Sequence, residues 1–241
     1  MNMKFFAASA VAAAMLSAPA FAATIVFDDF STDQIAGDTP RFGVEPTSTV
    51  AGGPGTGFIG DTRTFTVTNT VFDNNSDLAT TLESRNGVVA FNNDSGARGS
   101  ATLTYAGLID PLTGLRNTFN LNANVSNGSF FFDVVAFDSL ANFSLAGEDA
   151  DGRMISYGEL IDRTFVPTLR FDEITGSDVF DFSRVASLSF TINSTGTVDS
   201  SDGRMNTITV SAVPVPAAGL MLLSALGGAA ALRRRKAKKA A

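Results

Sequence analysis

The chain has 241 residues, enough after removal of its atypical ends for one domain of about 190 residues with a real core. It contains no His, no Cys and no Trp. A Ser-His-Asp triad, a Cys-His pair, a disulfide framework and the usual zinc and transition-metal ligand sets are therefore excluded. Of 17 basic residues one precedes residue 23 and six follow residue 212. Ten remain between, all Arg, against all 24 acidic residues, so segment 23–212 carries a formal charge of −14. Such a body repels nucleic acid and is expected to have no nucleic-acid partner. The absence of Lys from the same segment removes Schiff-base chemistry and a P-loop.

The first element in chain order is a leader. Lys4 is followed by an uncharged, Ala-rich apolar run over residues 5–16, then Pro19 and Ala20-Phe21-Ala22. A charged start, a short apolar core and a small-x-small site make a secretory signal peptide over 1–22, cleaved after Ala22 with Ala20 at the other small position. The run is too short to span a bilayer, which needs about 20 residues.

From Ala23 onward the period is two. Residues 64–68 (Thr-Phe-Thr-Val-Thr) and 101–105 (Ala-Thr-Leu-Thr-Tyr) alternate strictly. In the same way Leu188, Phe190 and Ile192 oppose Ser189, Thr191 and Asn193, and Ile208, Val210 and Ala212 share a face. Each reads as a half-buried strand. Further strands are expected at 24–27, 87–91, 130–137, 153–157 and 163–171. Asn86-Gly87, Asn127-Gly128, Asp151-Gly152, Ser194-Thr195-Gly196 and Asp202-Gly203 are turn signals between them. No stretch of ten residues has helical periodicity. The expectation is an all-β fold, an antiparallel jelly-roll-like sandwich over 23–212. Tyr105 is expected in its core. The triplet Phe130-Phe131-Phe132 is expected on a strand buried on both faces; its functional alternative is an exposed aromatic contact for a glycan or a protein.

Catalytic chemistry is reduced to a carboxylate pair acting on a glycosidic bond. Acidic residues are too many for any pair to be singled out, and the chain is expected not to be an enzyme. Calcium suits the oxygen-rich loops better. Asp73, Asn75 and Asp77 form a D-x-N-x-D run, but Leu78 replaces the Gly and Ser84 the bidentate Glu of an EF-hand. Asp149 and Asp151, beside Glu148, and the run Asn92-Asn93-Asp94 are the other acceptor clusters. All these residues are equally good turn formers, so calcium is a candidate cofactor and not a required one.

The last element, residues 213–241, has three parts. Val213-Pro214-Val215-Pro216-Ala217 is extended by its prolines. Residues 217–232 carry no charge, and Arg233, Arg234, Arg235 and Lys236 follow at once. Residues 213–232 span about 30 Å as a helix, enough for one C-terminal transmembrane helix with its basic end on the cytoplasmic side. This arrangement resembles the C-terminal sorting signal of the PEP-CTERM family in its VPLPA variant, with Val215 where that variant has Leu. The resemblance covers residues 213–239. It implies a Gram-negative host, an exosortase-type transpeptidase as partner, inner-membrane anchoring before processing, and display at the envelope or outer surface in an exopolysaccharide setting. A second resemblance rests on residues 25–31 (Ile-Val-Phe-Asp-Asp-Phe-Ser), 181–185 and 206–210. These are similar to the ends of jelly-roll, lectin-like surface proteins. Three functions follow as expectations: a structural, non-catalytic surface or matrix protein; a calcium-assisted carbohydrate-binding module for exopolysaccharide; and a carboxylate-pair glycan hydrolase. The missing Trp platform favours the first.

Overall fold

The computed structural model describes residues 23–38, 46–69, 79–121, 123, 128–162, 168–194 and 201–212. The expected signal peptide with Ala20 and Ala22, the sorting segment 213–241 and the loop holding Asp73, Asn75 and Asp77 lie outside these residues. So do residues 163–167 of one expected strand.

Thirteen strands follow one another: β1 (Ala23–Asp28), β2 (Gln34–Gly37), β3 (Thr47–Ala51), β4 (Thr62–Asn69), β5 (Thr80–Arg85), β6 (Val88–Asn93), β7 (Gly99–Ala106), β8 (Gly128–Phe137), β9 (Ala141–Asp149), β10 (Met154–Ile161), β11 (Thr168–Arg170), β12 (Val185–Asn193) and β13 (Gly203–Ala212). A single 3₁₀ turn, Phe171–Glu173, follows β11, and no α-helix occurs among the described residues. The strands form two sheets. One has the order β11-β8-β13-β6-β5-β2, with β1 also on β13; the other has the order β10-β9-β12-β7-β4-β3. The registered pairs are all antiparallel. The all-β sandwich is thus present, with nine of its strands at or near the expected positions and four (β2, β3, β5, β9) in addition.

Local chemistry explains the connections. Arg85 pairs with Val88 across a two-residue loop, where Asn86 and Gly87 have φ of 53° and 78°. Two successive positive φ values define the type I′ turn that matches strand twist, and Asn-Gly tolerates them best. Between the sheets the filling is aromatic. The Phe27 ring lies 4.6 Å from Tyr105, 6.0 Å from Phe190 and 6.2 Å from Phe130, all edge-to-face. Phe171 stacks on Phe182 at 4.2 Å. Each buried Phe is worth about 1.5–3 kcal/mol by transfer alone, and thirteen Phe are buried among the described residues, so a chain without Cys is held by its aromatic core.

Tyr105 is fully buried, as its phase implies. The Phe triplet corrects the expectation of a strand buried on both faces. Phe130 and Phe132 point inward at 0 % and 2 % exposure, while Phe131, on the opposite face of β8, is 40 % exposed.

Candidate functional site

The outer face of the six-stranded sheet is the most regular surface of the molecule. Alternation along β4 buries Arg63, Phe65, Val67 and Asn69 and turns Thr62, Thr64, Thr66 and Thr68 outward. Along β7 it turns out Ser100, Thr102 and Thr104, and along β12 Ser187, Ser189, Thr191 and Asn193. The registers align these positions across the sheet. One row reads Thr49, Thr64, Thr104, Ser189, Ala146, Ser156. The next reads Thr47, Thr66, Thr102, Thr191, Ser144, Gly158. A third holds Thr68, Ser100, Asn193 and Asn142. Rows lie one two-residue step apart, about 6.7 Å, and strands about 4.8 Å apart. Some hydroxyls couple across strands: Thr49 to Thr64 at 2.9 Å and Thr102 to Thr191 at 2.8 Å.

Thr suits a solvated strand because it is β-branched. Strand propensity does not require the absence of charge. On a domain of −14, these rows hold no ionisable side chain; Glu148, paired with Ser187 and Met154, stands in the flanking row. Alternation made the individual strands legible, but the shared phase of their hydroxyls, visible in the registers, passed unread.

Directly beneath, at the β4 level, lies a charge that sequence reading also missed. Arg63 occupies an inward position and is fully buried with Asp28. Its Nη1 donates to Asp28 Oδ1 and Oδ2 at 3.0 and 2.9 Å, Nε to Gln34 Oε1 at 2.9 Å, and Nη2 to Thr32 O at 2.6 Å and Ser84 Oγ at 3.0 Å. The rings of Phe30, Phe58 and Phe65 surround the guanidinium at 4.9–5.7 Å. Asp28 also accepts from Tyr105 Oη at 2.6 Å and from the Phe30 N–H at 2.7 Å, which fixes Phe30 at a φ of 52°. Burial raises the Asp28 carboxyl above its ordinary range, against the opposing pull of Arg63 and the Tyr105 and Phe30 hydrogen bonds. Burial and the Asp28 charge push the Tyr105 phenol well up. Every donor is matched, so this cluster ties the two sheets together and offers nothing to a ligand. The available signal was an Arg standing at the apolar phase of Thr62-Arg63-Thr64-Phe65-Thr66-Val67.

The calcium candidates divide. Asp149 and Asp151 come together, but around an arginine. Asp149 Oδ1 accepts the N–H of Asp151 and Arg153 at 2.9 and 3.0 Å, and Oδ2 accepts Arg153 Nε at 2.7 Å and the Asp181 N–H at 2.9 Å. Four donors fill its four lone-pair directions. Burial raises this carboxyl, but the Asp181, Arg153 and Asp151 N–H groups and the Arg153 charge outweigh it, and the net shift is downward. Asp151 receives Arg153 Nη2 at 2.7 Å and Arg184 Nη1 at 3.5 Å. Asn93 likewise is spent inside the fold: its amide takes Thr80, Ser194 and Ser201 as partners. Among the described residues no group of three or more Asp or Glu is arranged to hold a metal. The remaining calcium residues, Asp73, Asn75 and Asp77, fall outside the described set.

No protein-family model matches the chain, and no curated protein matches it. Solved structures are similar only distantly. A family 30 carbohydrate-binding module of a cellulosomal cellulase from Clostridium thermocellum is 15% identical, with a TM-score of 0.38, over 80% of this chain and 98% of that one. A family 11 carbohydrate-binding module from the same organism, in complex with a β-1,3-1,4-mixed-linked tetrasaccharide, is 12% identical, with a TM-score of 0.30, over 77% and 99%. An exo-β-agarase is 13% identical, with a TM-score of 0.40, over 79% of this chain but 25% of its own length. The chain spans about a quarter of the agarases' length, and likenesses at these scores bear on no residue of it.

Proposed function

We propose that the chain is an exported, non-catalytic surface domain that binds a neutral polysaccharide along the hydroxyl-lined face of its six-stranded sheet. The observation that carries this reading is the register of Ser, Thr and Asn across β3, β4, β7, β12 and β9 without an ionisable group. A glycan laid across the strands meets a hydroxyl at nearly every strand, about 4.8 Å apart. Neighbouring strands rotate by roughly 20–25°, so the array curves. A curved array fits one flexible polymer chain rather than the flat face of a crystal. The acidic body repels uronate-rich and sulfated polymers, which leaves neutral ones as the substrate class.

A non-catalytic role is supported by the lack of His and Cys and by the state of the buried carboxylates. Asp28 and Asp149, the buried acids among the described residues, are each committed to an arginine. Export, sorting through Val213–Ala217 by an exosortase-type enzyme, and surface display rest on the sequence of the two ends. Calcium enters this reading only through Asp73, Asn75 and Asp77.

The test is binding of segment 23–212 to neutral and uronate-bearing polysaccharides, with calcium and with chelator, beside the variant Thr104→Glu. Thr104 lies mid-row with its side chain outward, so the charge should cost little stability. Saturable binding to a neutral polymer, lost in Thr104→Glu and indifferent to chelator, is expected. Binding that survives Thr104→Glu refutes the face, and binding lost only in chelator moves the site to the 73–77 loop.

A further inference from the structure

The hydroxyl-lined face is not level. Along the row Thr47, Thr66, Thr102, Thr191, Ser144, Gly158 the outward side chains shrink from Thr to Ser to none as the row reaches the β10 edge. The neighbouring row ends in the same way, in Ala146 and Ser156. The rows on either side of these two end in taller groups. Asn142 pairs with Leu160 on one flank, and Glu148 with Met154 on the other. Leu160 is 56 % and Met154 59 % exposed, Asn142 is exposed and Glu148 half-buried. The β9–β10 end of the face is therefore a groove two rows wide. It runs across the strands, the direction in which a glycan meets a hydroxyl at nearly every strand.

Gly158, in the floor of this groove, is not demanded by the fold. Gly147 and Gly203, also in strands, have no room for a side chain: an added Cβ would meet Ile155 Cγ1 at 3.0 Å and Phe137 Cδ2 at 2.9 Å. At Gly158 the nearest atom would be Phe143 O at 4.0 Å. Its φ is not positive, and the β10–β9 register runs unbroken from Met154 to Ile161, so it serves neither a turn nor a bulge. A glycine inside a strand costs stability, and where neither space nor bulge explains it, it marks a close approach by a ligand or another backbone.

Ser156 shows what the approaching group would meet. Its N–H donates to Thr175 O at 3.0 Å and its O accepts the Thr175 N–H at 2.9 Å, so both groups point away from β9. Two residues on, Gly158 turns its N–H and C=O the same way. With no side chain over them, they add a donor and an acceptor to the lip of the groove. A second copy's β10 is a poor occupant, since it would bring another Glu159 to the same edge, and like charges across a strand pair destabilise it. A hydroxyl-bearing neutral ring meets no such penalty.

We propose, resting on the glycan-binding reading of the face, that this groove holds the neutral polymer where it leaves the sheet, and that Gly158 sets how deep its sugar rings sit. Leu160 and Met154 take the C–H faces of a pyranose ring. Asn142 and Glu148 bond its hydroxyls, and the Glu148 carboxylate turns away a uronate at the same place. Gly158 N–H and C=O reach hydroxyls that a longer side chain at this position would hold off.

Segment 24–212 is one compact unit containing both sheets and the core, and is the species to test. The assay is affinity electrophoresis in gels cast with dextran, galactomannan or xyloglucan, with alginate as the charged control, beside thermal unfolding. Gly158→Thr completes the Thr row in open space, so its melting temperature should rise by about 1–4 °C. Its affinity for the neutral polymer should nonetheless fall about tenfold. Leu160→Ser, at an exposed position, should weaken binding in the same gels. Retention lost in Thr104→Glu but unchanged in Gly158→Thr overturns the groove and leaves the face standing. A wild type retained by no neutral polymer, or retention unchanged in Thr104→Glu, overturns the face and the groove with it. A melting temperature of Gly158→Thr well below wild type assigns the glycine to the fold and overturns the proposal as well.

Discussion

Replacing Arg63 with Met tests the description of the buried cluster. Met keeps the length of the side chain and its contact with Phe30, Phe58 and Phe65, so little packing is lost. What is lost is five hydrogen bonds and the charge opposite Asp28. Asp28 would keep only Tyr105 and the Phe30 N–H as donors. Removing one partner of a buried pair costs about 3–5 kcal/mol, because the other charge stays buried without compensation. For a domain of this size each kcal/mol is worth about 2–4 °C, so the melting temperature should fall by about 6–20 °C. The sign of the pH dependence follows from the same geometry. Burial already holds the folded-state pKa of Asp28 above its ordinary 3.8, and without Arg63 it rises further. In the variant the folded state then binds a proton more tightly than the unfolded one. Its stability relative to wild type should recover as pH falls toward and below the unfolded pKa, where Asp28 is neutral in both states. Asp28→Asn in the Arg63→Met background should recover part of the loss at neutral pH. Thermal unfolding of the four members of the cycle between pH 4 and 7, followed by far-UV circular dichroism, gives the result. A melting temperature for Arg63→Met within about 2 °C of wild type at pH 7 would refute the buried, unscreened pair.

Asp149→Ala should cost about 2–3 kcal/mol, because it strips acceptors from three backbone N–H groups in the β9–β10 and 181–184 turns. The carboxyl is lowered in the folded state, so its contribution is complete above the unfolded pKa and is lost as pH drops below 3.8 and through the folded value. The difference between wild type and Asp149→Ala in urea should therefore narrow in acid; a difference constant with pH would show that the carboxylate charge contributes nothing. Changing Pro214 and Pro216 to Ala in the whole chain should block processing and leave a heavier form at the inner membrane, read by gel mobility and fractionation. Unchanged size and location would sink the sorting reading.

The most legible strands are those whose inward side is mainly apolar: β4 over Phe65 and Val67, β7, β12 and the end of β13. The four unread strands have separate causes. β2 is short and turns Gln34 inward to receive Arg63 Nε, and β5 turns Ser84 inward to receive Arg63 Nη2 and Thr80 to bond Asn93. Polar groups that serve the buried cluster thus erase the hydrophobic period of the strands that carry them. β9 dilutes its pattern differently, with Ala141 and Gly147 among its inward residues and Asp149 at its end. β3 is an edge strand whose inward Ser48 and Val50 are only half-buried. The site was illegible for a related reason. Single strands announce a polar side, but whether those sides align depends on register between residues as distant as Thr49 and Ser189, which no local pattern encodes.

The hydroxyl rows run across the middle of the six-stranded sheet, so a polymer laid along one row meets several strands at once. Many copies displayed side by side would present repeated neutral faces to one polymer. Hydroxyl contacts without an aromatic platform bind weakly one at a time, since each hydrogen bond replaces one to water. Repetition changes that balance: linked sites on a shared polymer gain avidity of about 10²–10⁴ over a single one without any new contact. On this argument the missing Trp, which at first favours a purely structural role, fits a binding domain whose affinity comes from number, and the matrix and glycan-binding readings describe one arrangement rather than two.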